Sequence, residues 1–298
     1  MRALALVTLA AMTAACAAPK TPASESAPAA AAHAGCESSS VDAPVSPSAT
    51  VAPVAATATA SAAESTLPPP ALVVGEASAN PAVAPTVAIL APARGAHVEA
   101  DAKVTLDVRG WPTAEGAAHV HLILDNQPYK PIYDTGAPVP LRDLNGGKEL
   151  AAGPHVLVAF ASRANHESVK MPSALAVTSF VVGSEPASFA APSSFLVYSR
   201  PKGTYVGPQA NHVLVDFQLV GTTLTEGKQA VALEVRSDTL REPLRARTAR
   251  FGAPFYLENL RSGSYTLELS LLDGAGNVVD GPWNKTTRTI VIDRNKKP

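Results

Sequence analysis

The strongest constraint on this chain is that residues 86 to 298 carry one pattern of short alternating strands twice. Val104, Leu106 and Val108 share one side of an extended segment, and Val213, Val215 and Phe217 repeat them. Val120, Leu122 and Leu124 are answered by Val231, Leu233 and Val235. PVPLRDLNGGKELAAGPHVLVAFAS is answered by APFYLENLRSGSYTLELSLL, and SVKMPSALAVTSFVV by VVDGPWNKTTRTIVI. The clearest unit is Leu267, Leu269 and Leu271 alternating with Thr266, Glu268 and Ser270, followed by a DGAGN turn and a last strand over 287–292. Because side chains alternate across a strand, this period of two makes each segment a strand with one buried face. About seven such strands, twice, with turn residues between them and no helical period, predict an all-β chain of two tandem sandwiches. Their expected bounds are 86–183 and 190–294.

Two local patterns refine this. Tyr265 follows a Ser-Gly turn and sits two residues before Leu267. The position resembles the tyrosine corner of immunoglobulin-like domains, in which the phenol bonds to backbone just upstream. The resemblance implies an immunoglobulin-like, or fibronectin III-like, fold. His155 falls where Tyr265 falls, so it is expected to be structural. The first copy carries His119-Val-His121-Leu-Ile-Leu-Asp125, Gly153-Pro-His155-Val-Leu and Arg163-Ala-Asn-His166-Glu167-Ser-Val-Lys170. In these motifs it is similar to immunoglobulin-like domains of secreted bacterial proteins, a likeness that implies a fold and no particular activity.

The chain opens with Met1-Arg2, a short apolar run over 3–15, and Thr13-Ala14-Ala15 directly before Cys16. The run is too short to span a bilayer. It resembles a bacterial lipobox, with Thr13 where that family usually carries Leu. The resemblance implies a signal peptide over 1–15 and acylation of Cys16, hence a membrane partner held through a lipid anchor. The alternative is an ordinary secretory signal with Cys16 incidental. Ala17 rather than Asp follows the Cys. In Gram-negative lipoproteins this implies sorting to the outer membrane, facing the periplasm or the cell surface. The only other cysteine, Cys36, lies in low-complexity sequence, so no disulfide framework is expected.

Residues 16–85 are almost entirely Ala, Pro, Ser, Thr and Val without a sustained period. Such a segment buries too little apolar surface to offset its ordering entropy and predicts a disordered linker. At about 3.1 Å per residue it would reach on the order of 200 Å when extended. A formal net charge of −1 gives no reason to expect a nucleic-acid partner. No Gly-rich phosphate loop, no G-x-S-x-G elbow and no triad pattern is present, so the sequence predicts no enzyme.

The copies differ on one face. The outward positions of the second are Ala230, Ala232, Glu234, Thr266, Glu268 and Ser270. In the first they are His119, His121, Ile123, Val156, Val158 and Phe160. An apolar outer face implies covering by the other domain or a linker, a partner surface on an envelope or cell-wall component, or a register shifted by one. With Trp111 and Arg163 at the same end of the sandwich, these residues make the candidate binding surface. His119 and His121, two apart on a strand, point the same way, and His166 and Glu167 lie in a hairpin at that end. Together the four are a candidate Zn²⁺ or Cu²⁺ site, although no cofactor is required by the sequence. The competing reading packs the histidines beside Val and Phe and pairs Arg163 with Glu167. An arginine run (Arg236, Arg241, Arg245, Arg247, Arg250) either meets anionic envelope material or blunts an edge strand.

Overall fold

The computed structural model describes residues 62–184 and 192–297. The signal segment, Cys16 and most of the linker lie outside the described residues. A single helical turn (Ala62–Ser65) and strand β1 (Ala71–Val74) come first. The first sandwich follows as β2 (Thr86–Ala91), β3 (His97–Val98), β4 (Lys103–Arg109), β5 (His119–Leu124), β6 (Lys130–Ile132), β7 (Val139–Pro140), β8 (Gly153–Ser162) and β9 (Leu175–Val182). The second contains β10 (Phe195–Arg200), β11 (Gly203–Val206), β12 (His212–Val220), β13 (Ala230–Arg236), β14 (Leu244–Thr248), β15 (Phe255–Glu258), β16 (Gly263–Leu272) and β17 (Lys285–Asp293).

The repeat holds strand for strand. The first sandwich stacks a sheet of order β2-β4-β7 on one of order β3-β9-β8-β5-β6. The second stacks β1-β15-β12-β10 on β11-β17-β16-β13-β14. In both, a short strand pairs in parallel with the last one, β3 with β9 and β11 with β17. The chain is therefore two tandem immunoglobulin-like β-sandwiches. Each has its own core: Val104, Val120, Leu122, Leu157 and Phe180 in the first, and Val213, Phe217, Leu233, Tyr265 and Leu269 in the second.

The corner is present twice. Tyr265 Oη donates to the Arg261 carbonyl at 2.9 Å and accepts from Thr239 Oγ1 at 2.7 Å. His155 Nε2 bonds to the Ala151 carbonyl at 2.9 Å, also four residues upstream, while Nδ1 lies 2.6 Å from Asp125. The carboxylate of Asp125 raises the His155 pKa, against the opposing effect of burial. Imidazole thus replaces phenol with the same backbone connection. Tyr265→Phe is expected to destabilise the chain by about 1 kcal/mol, one hydroxyl bond to backbone, in denaturant unfolding. An unchanged midpoint would mean that the hydroxyl closes nothing.

The linker expectation is corrected over its last stretch. Within the Pro-rich segment, Ala71–Val74 adds an antiparallel strand to the edge of β15, with Leu72 opposite Leu257. Leu72 and Val74 pack on the core of the second sandwich. Glu64 accepts from the Ser262 amide at 3.1 Å, and Arg261 donates to the Leu67 carbonyl at 2.8 Å. A four-residue ALVV run is too short to show a period, and its order comes from the open sheet edge that it covers. On the opposite sheet, β14 is an edge strand and carries Arg245 and Arg247 of the arginine run. Arg245 pairs with Glu234 at 2.7 Å, as expected for charges that blunt an edge.

Candidate metal centre

The site is organised by strands that are buried on both sides. In β5, Val120, Leu122 and Leu124 enter the core of the first sandwich, so His119, His121 and Ile123 project from the other face. In β8, Leu157, Ala159 and Ala161 face inward, and Val156, Val158 and Phe160 face outward. Every one of these outward residues is buried. They are covered by β10, whose Phe195 and Val197 pack on Ile123, Val156, Val158 and Phe160, while Leu196 and Tyr198 turn into the second core. The strand residues of the candidate partner surface therefore form the joint between the two sandwiches, whereas Trp111 packs beside the first core and Arg163 turns to the segment after β1. β5 and β8 thus have the register that their alternation predicts, and β10 is the cover.

Polar contacts fix the joint. The Asn126 side chain accepts from the Tyr198 amide at 2.9 Å and donates to Thr286 at 2.9 Å. Buried Asp216 accepts from Ser168 Oγ at 2.7 Å and Lys170 Nζ at 2.8 Å, which joins β12 to the segment after β8. Arg288 donates to the carbonyls of Ser199 and Asn126, both at 3.0 Å.

At one end of this joint three imidazoles converge. His119 Nε2 lies 2.9 Å from His166 Nδ1 and 3.0 Å from His121 Nε2, and the third side, His121 Nε2 to His166 Nδ1, is 3.3 Å. His119 and His121 come from alternate positions of β5. His166 is delivered by the hairpin after β8, with a left-handed φ of 67°. This conformation is uncommon for a residue with a side chain, and histidine adopts it more readily than most. The amide of His166 bonds to the Arg163 carbonyl, and Asn165 Oδ1 accepts from the Glu167 amide, which closes the hairpin. Trp111 braces the strand ends through Nε1, which reaches the carbonyls of His119 (3.2 Å) and Ser162 (3.3 Å).

The remaining ring nitrogen of His119 defines its tautomer. His119 Nδ1 lies 2.8 Å from the Ala117 carbonyl, which can only accept, so Nδ1 carries the proton and Nε2 presents a lone pair. His121 Nδ1 bonds Ser199 Oγ of β10 at 3.0 Å, and its ring stacks on Tyr129 with centroids 3.7 Å apart. Burial lowers the pKa of all three histidines. For His121 the neighbouring His119 and His166 add to this, and for His166 burial together with Arg200 brings the value down to about 3. At neutral pH all three are uncharged, as ligands must be.

The group can hold a metal ion. A tetrahedral ion with metal–nitrogen bonds of about 2.0–2.1 Å sets its ligand nitrogens about 3.3–3.4 Å apart, close to the spacing found here. The Ala117 carbonyl and Ser199 hydroxyl are outer partners of the kind that orient ligating histidines. Three neutral imidazoles suit Zn²⁺ or Cu²⁺.

Glu167 does not join them. Its carboxylate is buried and accepts from Ser78 Oγ at 2.8 Å, so it fixes the hairpin to the segment that follows β1. The expected Arg163–Glu167 ion pair is replaced by a main-chain bond from the Arg163 amide to the Glu167 carbonyl. The Arg163 guanidinium reaches the Ala79 carbonyl at 2.6 Å instead. Sequence reasoning missed Tyr129, which reaches His121 from the turn before β6, and Ser199, Arg200 and Lys202, which carry no spacing signal because they approach the histidines from the second sandwich.

No protein family matches this chain in sequence, and no curated protein does. Among solved structures it is similar to the fibronectin(III)-like modules of Clostridium thermocellum CbhA, at 13% identity over 70% of this chain and 95% of that one, with a TM-score of 0.25. It is also similar to the FN1-FN3 domains of chicken CNTN1, at 11% identity over 76% of this chain and 66% of that one, with a TM-score of 0.23.

Proposed function

We propose that this protein is a tethered binding module of the bacterial cell envelope that takes up Zn²⁺ or Cu²⁺ at the joint between its two sandwiches. The observation that carries the reading is the triangle of His119, His121 and His166 ring nitrogens, with sides of 2.9, 3.0 and 3.3 Å. The metal reading is preferred to capture of a protein on the apolar face because that face is filled by Phe195 and Val197 of the same chain. A ligand set drawn from β5 and the hairpin, with its outer contact to Ser199 on β10, ties metal uptake to the sandwich joint.

A chelator-treated sample of the purified chain, given Zn²⁺ or Cu²⁺, tests the centre. A ligand that binds only the folded state at 100 times its Kd stabilises by about 2.7 kcal/mol. For a folded region of this size that is a rise in Tm of about 5–10 °C. A flat Tm with both ions would end the metal reading.

The envelope location rests on the lipobox-like Thr13-Ala14-Ala15-Cys16. Among the described residues, no helix is long and apolar enough to cross a membrane. Cys16→Ala is expected to move the protein from the membrane to the soluble fraction, or to leave the signal uncleaved. A variant that matures normally and stays membrane-bound would remove the lipid anchor from the reading.

A further inference from the structure

The metal centre adjoins a cleft of about 470 Å³, lined among others by Tyr129, His166, Arg200, Lys202, Tyr205 and Tyr256. Resting on the metal reading above, we propose that the centre binds its ion together with a small oxyanion, a carboxylate or a phosphate, which completes the coordination and is clamped by Arg200 and Lys202.

Three observations support this. First, three neutral imidazoles leave a divalent ion with its full charge and at least one open position. Second, Arg200 and Lys202 are cations, and among the described residues no carboxylate lines the cleft. Lys202 Nζ donates to the Tyr129 carbonyl at 2.6 Å and lies 3.9 Å from the Tyr129 ring centre, and Arg200 Nη1 donates to Tyr129 Oη at 2.8 Å. Among the described residues no carboxylate forms an ion pair with either, and the two tyrosine rings flanking the Arg200 guanidinium, 5.9 Å (Tyr129) and 5.6 Å (Tyr205) away, carry no formal charge. Arg288, the third cation nearby, already has its guanidinium on backbone carbonyls. Third, Arg200 Nε is a buried donor without a well-formed hydrogen bond, its neighbour Tyr205 Oη being shared with the Lys202 backbone. A buried donor without a partner is costly, and an oxyanion on the guanidinium would supply one. A divalent ion beside two unpaired cations is electrostatically unfavourable until an anion joins them. Tyr129 Oη, 3.4 Å from His166 Nδ1, is the rival for the open position.

The test is calorimetric titration of the zinc-loaded chain, in chloride-free buffer, with inorganic phosphate and separately with succinate. At least one should bind, and the zinc-free chain should bind it at least about ten-fold more weakly. Arg200→Gln should weaken it about ten-fold or more, the loss of one charge-assisted contact, while zinc affinity without added anion is kept or improved. Lys202→Gln should act in the same direction and serves if Arg200→Gln folds poorly. The stronger of the two anions identifies the source. Zinc binding with no response to either anion, as when Tyr129 fills the open position, overturns this proposal alone, as does an Arg200→Gln chain that binds anion like the wild type. Failure of the wild type to bind zinc overturns the metal reading and this one with it.

Discussion

Val158→Glu is expected to pull the two sandwiches apart while each keeps its strands. Val158 is 2% exposed and lies on the outward face of β8, in the cluster that Phe195 and Val197 of β10 close. A carboxylate there has no ion-pair partner across the joint, and burying an unpaired charge costs several kcal/mol. The chain relieves this by opening the joint, since Val158 does not enter the core of the first sandwich. The expected result is a larger radius of gyration in solution scattering, loss of about 3–5 kcal/mol of stability, and retained β signal in circular dichroism. The neighbouring Leu157 is fully buried on the inward face. Leu157→Glu should therefore unfold the first sandwich itself. If Val158→Glu kept both the wild-type radius and the wild-type stability, the joint would not be as described. Opening the joint also removes Ser199 from His121, so metal-dependent stabilisation should shrink with it.

His121→Ala is expected to lower zinc affinity by at least about 100-fold. Loss of a mere outer partner of a ligand costs about 10–100-fold, and His121 would be a ligand itself. The same substitution should change the acid response. The three imidazoles have pKa values below that of free histidine in the folded state, so below about pH 6.5 the unfolded chain binds more protons than the folded one. Stability is present at neutral pH and falls as pH drops from about 6.5, continuing toward about 3, where His166 protonates in the folded state. With His121 gone, that fall should be shallower. Because burial disfavours the protonated imidazoles, zinc affinity of the wild type should start to fall at a lower pH than it does for free histidine. Equal zinc affinity in His121→Ala, measured by chelator competition, would place the ion elsewhere. An affinity that drops steeply from pH 7.5 would mean that burial does not keep the ligands neutral.

The sequence by itself determined whatever depends on neighbours along the strand. Period-two alternation separated Val120, Leu122 and Leu124 from His119, His121 and Ile123, because a strand sends successive side chains to opposite faces. The same rule set the two-fold repeat, and the place of Tyr265 after its turn marked the corner that His155 fills in the other copy. It also marked the outward face of the first sandwich as apolar where that of the second is small or polar.

Only the tertiary structure decided what covered that face. Contacts between β10 and β8 join residues far apart in the chain, and no spacing rule links Val158 to Val197 or His121 to Ser199. The hairpin conformation that turned His166 toward β5 and Glu167 toward Ser78 depends on a left-handed residue and on a segment docked from upstream. The order of β1 has the same origin. Its four residues hold no structure of their own, and an unpaired edge of the second sandwich supplies the hydrogen bonds that their sequence cannot.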